Sequence, residues 1–463
     1  MKPMGRTGAI GDLKGLRASA RRLVARRVTG TALALALTLT LSGCSSFDGW
    51  FGEDEVPLPG ERIAISNNID RLEPEGGTIR IPAAVSNSSW AQPGGAASNA
   101  PGHLATRSSL SRAWSASAGQ GSSSDGKLTA PPIVVSGRIY VLDASAHVSA
   151  HSAQSGKRVW RVNLTPEGED SDEGYGGGIA ADFGRIVVAT GFGDVYGLDP
   201  ANGGKLWKRN LGLPVRSAPT ASNGRVYVVT VNNEVHALDI ETGEVAWDFR
   251  RYSDSAGVLA NTSPAVEGST VVVPYKSGEL LAFDTQTGKP KWGDALTRTG
   301  RYSSVGAIND IAGRPAIYGG AVYAVSHSGR LAAIDLKTGR RIWAKNVAST
   351  QTPWVAGESV FVVSSNAEVV ALNRADGKIV WVKKLPLWED PEDKEERIVY
   401  SGPVLAGGRL LVVSSTGNLV ALQPQTGAVA NQTGAGSGFY VPPVVASGNV
   451  YLLSDSAQLI ALR

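Results

Sequence analysis

Aspartates recur at one position of a repeated motif, where paired carboxylates could carry out general acid–base catalysis. Asp199, Asp239, Asp284 and Asp335 each open a short turn, most of them with the sequence D-x-x-T-G. An aspartate at this position caps backbone N–H groups, and the glycine takes the left-handed conformation. Because each carboxylate belongs to a separate repeat, we predict four turn caps and no acid–base pair.

Two other patterns could bind a metal or a phosphate, but the predicted strands around them do not allow it. His147 and His151 have the i, i+4 spacing of zinc-binding helices, but they fall in a predicted strand, where four residues span roughly 13 Å. The glycines of 191–197, GFGDVYG, precede a strand, so they offer a phosphate no helix N-terminus. A G-x-S-x-G nucleophile motif is absent from the sequence. We therefore predict a non-enzymatic protein with no catalytic residue, cofactor or metal.

The elements that would position these residues belong to a repeated unit of three strands. Its clearest copy is 223–247, NGRVYVVTVNNEVHALDIETGEVAW, in which Asn223-Gly224 suits a tight hairpin turn. Val226, Val228 and Val229 favour a strand, and Trp247 lies on the strand after the D-x-x-T-G turn. Copies recur at 137–160, 184–207, 269–292, 320–343, 358–381 and 408–430. A period in the forties with several strands per repeat is typical of a β-propeller.

The copies of the strand that precedes the D-x-x-T-G turn give the number of blades. This strand occurs eight times, at Val148, Val195, Val235, Leu280, Leu331, Val369, Leu419 and Leu459. The chain ends just before its eighth tryptophan strand, whereas Trp114 precedes every complete repeat. We therefore predict an all-β, eight-bladed propeller of four-stranded antiparallel blades. The N-terminal strand around Trp114 should pair with the C-terminal repeat and close the ring.

The net charge of +4 does not indicate nucleic acid binding. Residues 1–43 contain eight basic side chains and one acid, which leaves 37 basic and 40 acidic residues in the rest of the chain. The apparent pI of 9.0 thus comes from the N-terminal segment. We expect no nucleic acid partner.

The N-terminal segment has the pattern of a bacterial lipoprotein signal. A basic region is followed by the short apolar run 28–43, VTGTALALALTLTLSG, and then by Cys44, the one cysteine of the sequence. Leu41-Ser42-Gly43-Cys44 resembles a lipobox, which implies a lipid anchor on Cys44 and cleavage before it. We predict a signal peptide at 1–43, a tether and N-terminal extension at 44–106, and a propeller at 107–463. Ser45 after the cysteine favours the outer membrane.

Variable loops point to one working surface. The connections that follow the tryptophan strands differ most in length, and in an up-and-down blade they all emerge on one face. They include 166–178, 211–216, 252–261, 297–314 and 387–397. Tolerated insertions would explain the same pattern. The acidic runs within 167–173 and 389–396 are expected to be solvated loops.

The repeat A-x-D-x-x-T-G-x-x-x-W resembles that of the quinoprotein dehydrogenases and their non-enzymatic relatives. With a lipobox and eight blades, the chain from about residue 41 resembles the propeller lipoproteins of the outer-membrane β-barrel assembly (BAM) machinery, with 57–63, PLPGERI, and 90–95, WAQPGG, typical of the alphaproteobacterial branch. The resemblance implies a scaffold on the periplasmic face of the outer membrane. Its partners would be the POTRA domains of BamA, the other subunits of the machinery and unfolded outer-membrane protein clients.

The resemblance also implies a contact site. The relatives bind BamA through a Leu-x-Leu segment with a nearby arginine, which corresponds here to Leu211, Leu213 and Arg216, with the arginine displaced along the loop. Packing under a loop is the alternative role for the leucines. A second acidic contact of the family is altered or missing here, since Asn261 precedes Thr262-Ser263-Pro264.

The alternative function is a quinoprotein dehydrogenase using pyrroloquinoline quinone and calcium. Those enzymes carry a vicinal disulfide beside the cofactor, whereas this sequence has one cysteine.

Overall fold

The computed structural model describes residues 71–171, 173–251, 262–297 and 309–463. These residues belong to one compact unit, Asn68–Arg463, and the other unit, Met1–Asn67, lies outside them. The predicted signal peptide, Cys44, the part of the tether and N-terminal extension up to residue 70, and Asn261 therefore lie outside the described residues. Within the described ranges no helix is long and apolar enough to cross a membrane.

The strands, in chain order, are β1 (Arg112–Ser117), β2 (Ile133–Val135), β3 (Arg138–Leu142), β4 (His147–Ser152), β5 (Arg158–Asn163), β6 (Gly177–Asp182), β7 (Arg185–Thr190), β8 (Asp194–Leu198), β9 (Lys205–Asn210), β10 (Thr220–Ser222), β11 (Arg225–Val229), β12 (Glu234–Asp239), β13 (Val245–Arg250), β14 (Ala265–Glu267), β15 (Thr270–Pro274), β16 (Glu279–Asp284) and β17 (Pro290–Ala295). They continue with β18 (Ala316–Tyr318), β19 (Ala321–Val325), β20 (Leu331–Asp335), β21 (Arg341–Lys345), β22 (Trp354–Ala356), β23 (Ser359–Val363), β24 (Glu368–Asn373), β25 (Ile379–Lys384), β26 (Trp388–Asp390), β27 (Glu395–Arg397), β28 (Tyr400–Ala406), β29 (Arg409–Ser414), β30 (Asn418–Leu422), β31 (Val429–Gly434), β32 (Val444–Ala446), β33 (Asn449–Leu453) and β34 (Gln458–Leu462).

These strands form an eight-bladed β-propeller, as the repeat predicts. Seven blades are consecutive antiparallel sheets, namely β2–β5, β6–β9, β10–β13, β14–β17, β18–β21, β22–β25 and β28–β31, which we number blades 1 to 7. Blade 8 has the order β1-β34-β33-β32. The two middle strands of each blade are almost entirely buried, because neighbouring blades cover both of their faces, whereas outermost strands such as β9 alternate between exposed and half-buried residues.

Blade 8 closes the ring by joining the two ends of the chain. Strand β1 pairs with β34 in antiparallel register, with Trp114 opposite Ala461 and Ser117 opposite Gln458. Backbone hydrogen bonds between Ser111 and Arg463, both 2.8 Å, extend the pairing. The predicted closure is confirmed.

Adjacent blades are joined by a tryptophan that packs on a turn glycine. Gly288 has φ +67°, and a Cβ atom there would lie 2.6 Å from Cδ2 of Trp247 in the preceding blade. The Trp247 Nε1–H group donates to the Thr285 carbonyl at 3.0 Å. The seven glycine–tryptophan pairs of this kind are Gly156–Trp114, Gly203–Trp160, Gly243–Trp207, Gly288–Trp247, Gly339–Trp292, Gly377–Trp343 and Gly427–Trp381.

The ring closure explains why the eighth tryptophan position holds Ala430. The turn glycine lies between the third and fourth strands of a blade. In blade 8 these are β34 and β1, which come from opposite ends of the chain. Blade 8 therefore has no such turn, and blade 7 needs no tryptophan to pack against one.

One acidic connection differs from its prediction. Residues 389–396 were expected as a solvated loop, and they are exposed, but they belong to the hairpin β26–β27. Trp388 pairs with Arg397 in this hairpin, and the Arg397 guanidinium lies 5.9 Å from the Trp388 ring centroid. The prediction of a loop rests on the run of acidic residues alone, and it does not consider the packing of Arg397 on Trp388 across the hairpin.

Residues 85–107, which we call the plug segment, contact all eight blades on one side of the central channel. They pair with the inner strands and with the hairpin turns that follow them, for example where Arg107 N–H donates to the Gly448 carbonyl. The contacts in blade order are Trp90 with Val134, Gln92 with Ala181 and Ala221, Asn99 with Pro264 and Pro315, Gly102 with Trp354, Leu104 with Leu405, and Asn87 with Val445. The plug segment thus covers the face that carries these inner hairpin turns.

Two side chains of the plug segment each bridge two blades. Gln92 donates to the carbonyls of Ala181 at 2.9 Å and Ala221 at 2.8 Å, and its Oε1 accepts from the Ala221 amide. Asn99 donates to the carbonyls of Pro264 and Pro315. Both side chains are buried, so these bonds replace water at inner-strand edges that would otherwise be unsatisfied.

Replacing Gly288 with alanine should destabilise the protein more than replacing Gly224. Both glycines have positive φ, so each substitution costs about 1–2 kcal/mol of backbone strain. At Gly288 the new methyl group also displaces Trp247, which adds about 1–3 kcal/mol, whereas nothing lies within 4 Å at Gly224. Urea unfolding of the two variants measures the difference. Equal midpoints would show that the tryptophan contact contributes nothing to stability.

Gln92→Ala should lower the free energy of unfolding by about 1–3 kcal/mol, because it leaves buried backbone groups of two blades without partners. The matched control is Gln286→Ala, since Gln286 is exposed at a turn and its loss should cost less than about 0.5 kcal/mol. Denaturant titration of both variants provides the measurement. A Gln92→Ala protein as stable as the control would contradict a stabilising role of the plug segment.

Candidate partner-binding site

The predicted contact residues lie in the connection between β9 and β10. This connection leaves blade 2 and enters blade 3 on the face opposite the plug segment, which we call the open face. The neighbouring connection before β6 and the turn between β7 and β8 emerge on the same side of blade 2. The open face is therefore where Leu211, Leu213 and Arg216 are displayed.

The two leucines are half-buried and rest on a fixed backbone. The Leu211 amide donates to the Gly193 carbonyl at 2.9 Å, and the Leu211 side chain packs against the core cluster that contains Val195 and Val215. Gly212 turns the chain with φ +76°, and its amide donates to Asn210 Oδ1. Leu211 therefore has a packing role, as the alternative in the sequence analysis proposed, and it retains some exposed surface.

Arg216 is exposed and is held by an aromatic side chain from the preceding connection. Its guanidinium carbon lies 4.4 Å from the Tyr175 ring centroid, and Nη1 donates to the Tyr175 hydroxyl at 2.9 Å. A guanidinium stacked on a ring is both oriented and partly desolvated, and it still has free donors for a carboxylate. The structure thus fixes Arg216 close to the leucine turn.

Two aromatic residues of this region were missed by the sequence analysis. Tyr175 holds Arg216, and the ring of Phe192 covers Gly174, where a Cβ atom would lie 1.9 Å from Phe192 Cε2. A signal for Phe192 is present in the repeat. Every other copy has a small polar residue at this turn position, namely Ser145, Asn232, Ser277, Ser328, Asn366, Thr416 and Ser456. We define the open-face patch as Tyr175, Phe192, Leu211, Leu213 and Arg216.

An ion pair between the buried Asp194 and the exposed Lys208 supports the base of the open-face patch. The Asp194 carboxylate is buried and lies 2.9 Å from Lys208 Nζ, and it also accepts from Asn210 Nδ2 at 2.8 Å. The hydrogen bond to Asp194 raises the pKa of Lys208, so Lys208 stays protonated at neutral pH. Burial raises the pKa of the Tyr196 phenol, which donates to the same carboxylate. The contacts of Asp194 therefore hold the adjacent turn that carries Phe192 in place.

The second family contact is only partly described. Asn261 lies outside the described residues, whereas the Thr262 carbonyl accepts from the Ala218 amide at 2.9 Å and the Pro264 carbonyl accepts from Thr220 Oγ1 at 2.7 Å. These two residues join blades 3 and 4 through hydrogen bonds, so their described role is structural.

The repeated aspartates are turn caps in the structure. Asp284 accepts from the backbone amides of Gln286 and Thr287 at 3.1 and 3.0 Å, and Asp335 accepts from the Thr338 amide at 2.8 Å. The backbone hydrogen bond from Thr287 lowers the pKa of Asp284, and the Thr338 hydroxyl lowers that of Asp335. Asp199 and Asp239 cap their turns in the same way. The prediction that these acids build turns is confirmed.

The histidine pair is held apart by the strand. His147 and His151 both lie in β4, where His147 hydrogen-bonds the Ser145 carbonyl and buried His151 contacts Gly156 and Ser149. Burial lowers the pKa of His151, which favours its neutral form. Among the described residues, no group of three or more His, Cys, Asp or Glu side chains is arranged to hold a metal ion.

Comparison with known proteins identifies similar chains. A family model described as outer membrane protein assembly factor BamB matches residues 144–383 and 386–463. The BamB of Burkholderia pseudomallei is 30% identical over 241 residues, which cover 52% of this chain and 60% of that protein. The BamB of Yersinia pestis is 25% identical over 328 residues, 70% of this chain and 81% of that protein. The matched part thus spans less than two thirds of the Burkholderia relative.

Solved structures share the fold. The crystal structure of BamB from Moraxella catarrhalis has a TM-score of 0.65 at 22% identity and covers 76% of this chain and 99% of that one. A quinohemoprotein alcohol dehydrogenase from Comamonas testosteroni has a TM-score of 0.62 at 15% identity, with coverage of 82% and 81%. At these identities both structures show the fold alone.

Proposed function

The chain belongs to the family of the outer membrane protein assembly factor BamB, and we propose that it is a non-enzymatic scaffold that docks on the POTRA domains of BamA through the open-face patch. The proposed location is the periplasmic face of the outer membrane, with a lipid anchor on Cys44. In this role it would hold other subunits of the machinery and unfolded β-barrel clients near the site of insertion.

The observation that carries this proposal is the arrangement of Arg216 beside the leucine turn. Leu213 is half-buried at the tip of the turn, and Arg216 is held on Tyr175. Binding hot spots are enriched in tryptophan, tyrosine and arginine, and they cluster near the centre of an interface. A patch that is ordered before binding loses little side-chain entropy when a partner docks. These properties support a docking surface for a folded domain with an apolar groove and a carboxylate.

The alternative is a quinoprotein dehydrogenase. Its support is the shared fold, at 15% identity to the quinohemoprotein alcohol dehydrogenase. The described contacts of the repeated aspartates and histidines are structural, so none of them favours this alternative.

Leu213→Ala combined with Arg216→Glu should weaken binding to purified BamA POTRA domains about tenfold or more, because the change removes the apolar contact and reverses the charge. Biolayer interferometry measures the affinity, and thermal unfolding checks that the propeller stays folded. The matched control is Arg397→Glu, which replaces another exposed arginine stacked on an aromatic ring. Unchanged affinity in the double variant would overturn the site assignment.

Cys44→Ser should release the protein from the membrane fraction, because the proposed lipid attaches to the thiol. Detergent phase partitioning of cells expressing either form measures retention, and mass spectrometry of the wild-type N-terminus detects the acyl chains. Ser46→Ala leaves the lipobox intact and serves as control. A Cys44→Ser protein that stays in the detergent phase would contradict the anchor.

A further inference from the structure

The central channel contains a cavity of about 430 Å³ between the plug segment and the open face. Its floor is formed by Trp90, Pro93, Gly94 and Asn99 of the plug segment. Its walls come from inner strands and from connections between blades. This volume falls within the range of about 300–1,000 Å³ that is typical of ligand-binding pockets.

The plug segment shows what kind of molecule these inner strands bind. Its two ends form isolated β-bridges with inner strands, as Trp90 does with Val134 and Leu104 with Ala406, whereas its middle forms turns at 92–95 and 96–99. Much of its binding uses main-chain groups. The Ala181 amide donates to the Ala91 carbonyl at 2.8 Å, and the Val266 amide donates to the Ala97 carbonyl at 2.7 Å. Bonds of this type hold an extended peptide without regard to its side chains, whereas pockets beside them select side chains.

One aromatic residue anchors the plug segment. Trp90 is only 1% exposed, and its ring stacks on Trp354 with centroids 6.3 Å apart and an interplanar angle of 20°. The residues that follow Trp90, AQPGGAAS, are mostly small. The channel of this protein therefore already holds a chain segment in which a buried aromatic side chain is followed by small residues.

The cavity above the plug segment is lined by apolar and aromatic side chains, as the surroundings of Trp90 are, and its mouth is open to solvent. Trp354, Leu128 and Val404 line it, and Tyr440 and Val399 at the rim are 49% and 40% exposed. Tyr440 and Val399 thus extend the apolar lining of the cavity to its mouth. Three charged residues line the cavity, namely Lys127, Arg314 and Asp455, so the lining has an excess of one positive charge and does not favour a basic segment.

We propose that this cavity binds an extended segment of an unfolded polypeptide and takes up one aromatic side chain against Trp354 and Tyr440. The inference rests on the proposed function, since the occupant is a client chain presented on the same face as the open-face patch. The plug segment forms a fixed floor, so a client segment enters and leaves through the open face.

The test uses a photoreactive peptide of alternating glycine and serine with one central benzoylphenylalanine. Illumination with the full-length protein should give crosslinks at Tyr440, Val441 or Trp354, identified by mass spectrometry. An unlabelled peptide with central phenylalanine should reduce the yield at least fivefold more than one with central alanine. Equal competition by the two peptides, or crosslinks spread over the outer strands, would overturn the proposal.

Thr129→Trp fills the cavity and should reduce crosslinking at least fivefold. Thr129 is a half-buried wall residue. The matched control is Thr433→Trp on the exposed outer strand β31, which should crosslink as well as the wild type. If Thr129→Trp does not fold, Tyr440→Ser at the rim replaces it and should also reduce the yield. Full crosslinking in a folded Thr129→Trp or Tyr440→Ser protein would contradict the site.

POTRA binding measured on the same samples separates this inference from the proposed function. Thr129→Trp should keep its affinity for POTRA domains, and the Leu213→Ala, Arg216→Glu protein should keep its crosslinks. If the Leu213→Ala, Arg216→Glu protein lost its crosslinks, peptide binding in the cavity would depend on the open-face patch, which would contradict a separate site. Wild-type protein that crosslinks in the cavity without binding POTRA domains would overturn the proposed docking and leave the cavity site standing.

Discussion

Packing of a tryptophan on a turn glycine of the next blade is the contact on which the propeller depends. Each blade alone would expose two apolar faces, and the ring buries them by placing one blade against the next. Trp247 fills the space over Gly288 that a side chain would occupy, and its indole N–H satisfies a turn carbonyl. The contact combines a large buried apolar area with one hydrogen bond, so it fixes both the distance and the angle between blades.

The same contact explains the one irregular blade. Blade 8 is assembled from both chain ends, and it therefore lacks the turn on which a tryptophan would pack. Its outer strand still supplies Trp114, which packs on Gly156 of blade 1. Pairing of β1 with β34 takes the place of the missing covalent turn. Closure of the ring thus costs the protein one copy of its repeated contact and covers the edge of β34 that would otherwise be open.

The plug segment gives the two faces of the propeller different roles. It satisfies inner-strand groups of all eight blades on one side, with Gln92 and Asn99 each linking two blades. The opposite side carries the connection between β9 and β10, the cavity mouth and the open-face patch. A division of this kind lets one face contribute stability while the residues of the other face vary with the partner.

The sequence by itself determined the number of blades and the turn-capping role of the aspartates, because both follow from local patterns that recur from blade to blade. It also determined the closure, because Trp114 precedes the first complete repeat. It also determined the connection in which Leu211, Leu213 and Arg216 lie. Only the tertiary structure decided that Arg216 rests on Tyr175, because these residues are 41 positions apart and meet through the packing of two connections. Likewise, only the folded ring brings the plug segment against residues up to 359 positions away, since such contacts depend on closure and not on local preference.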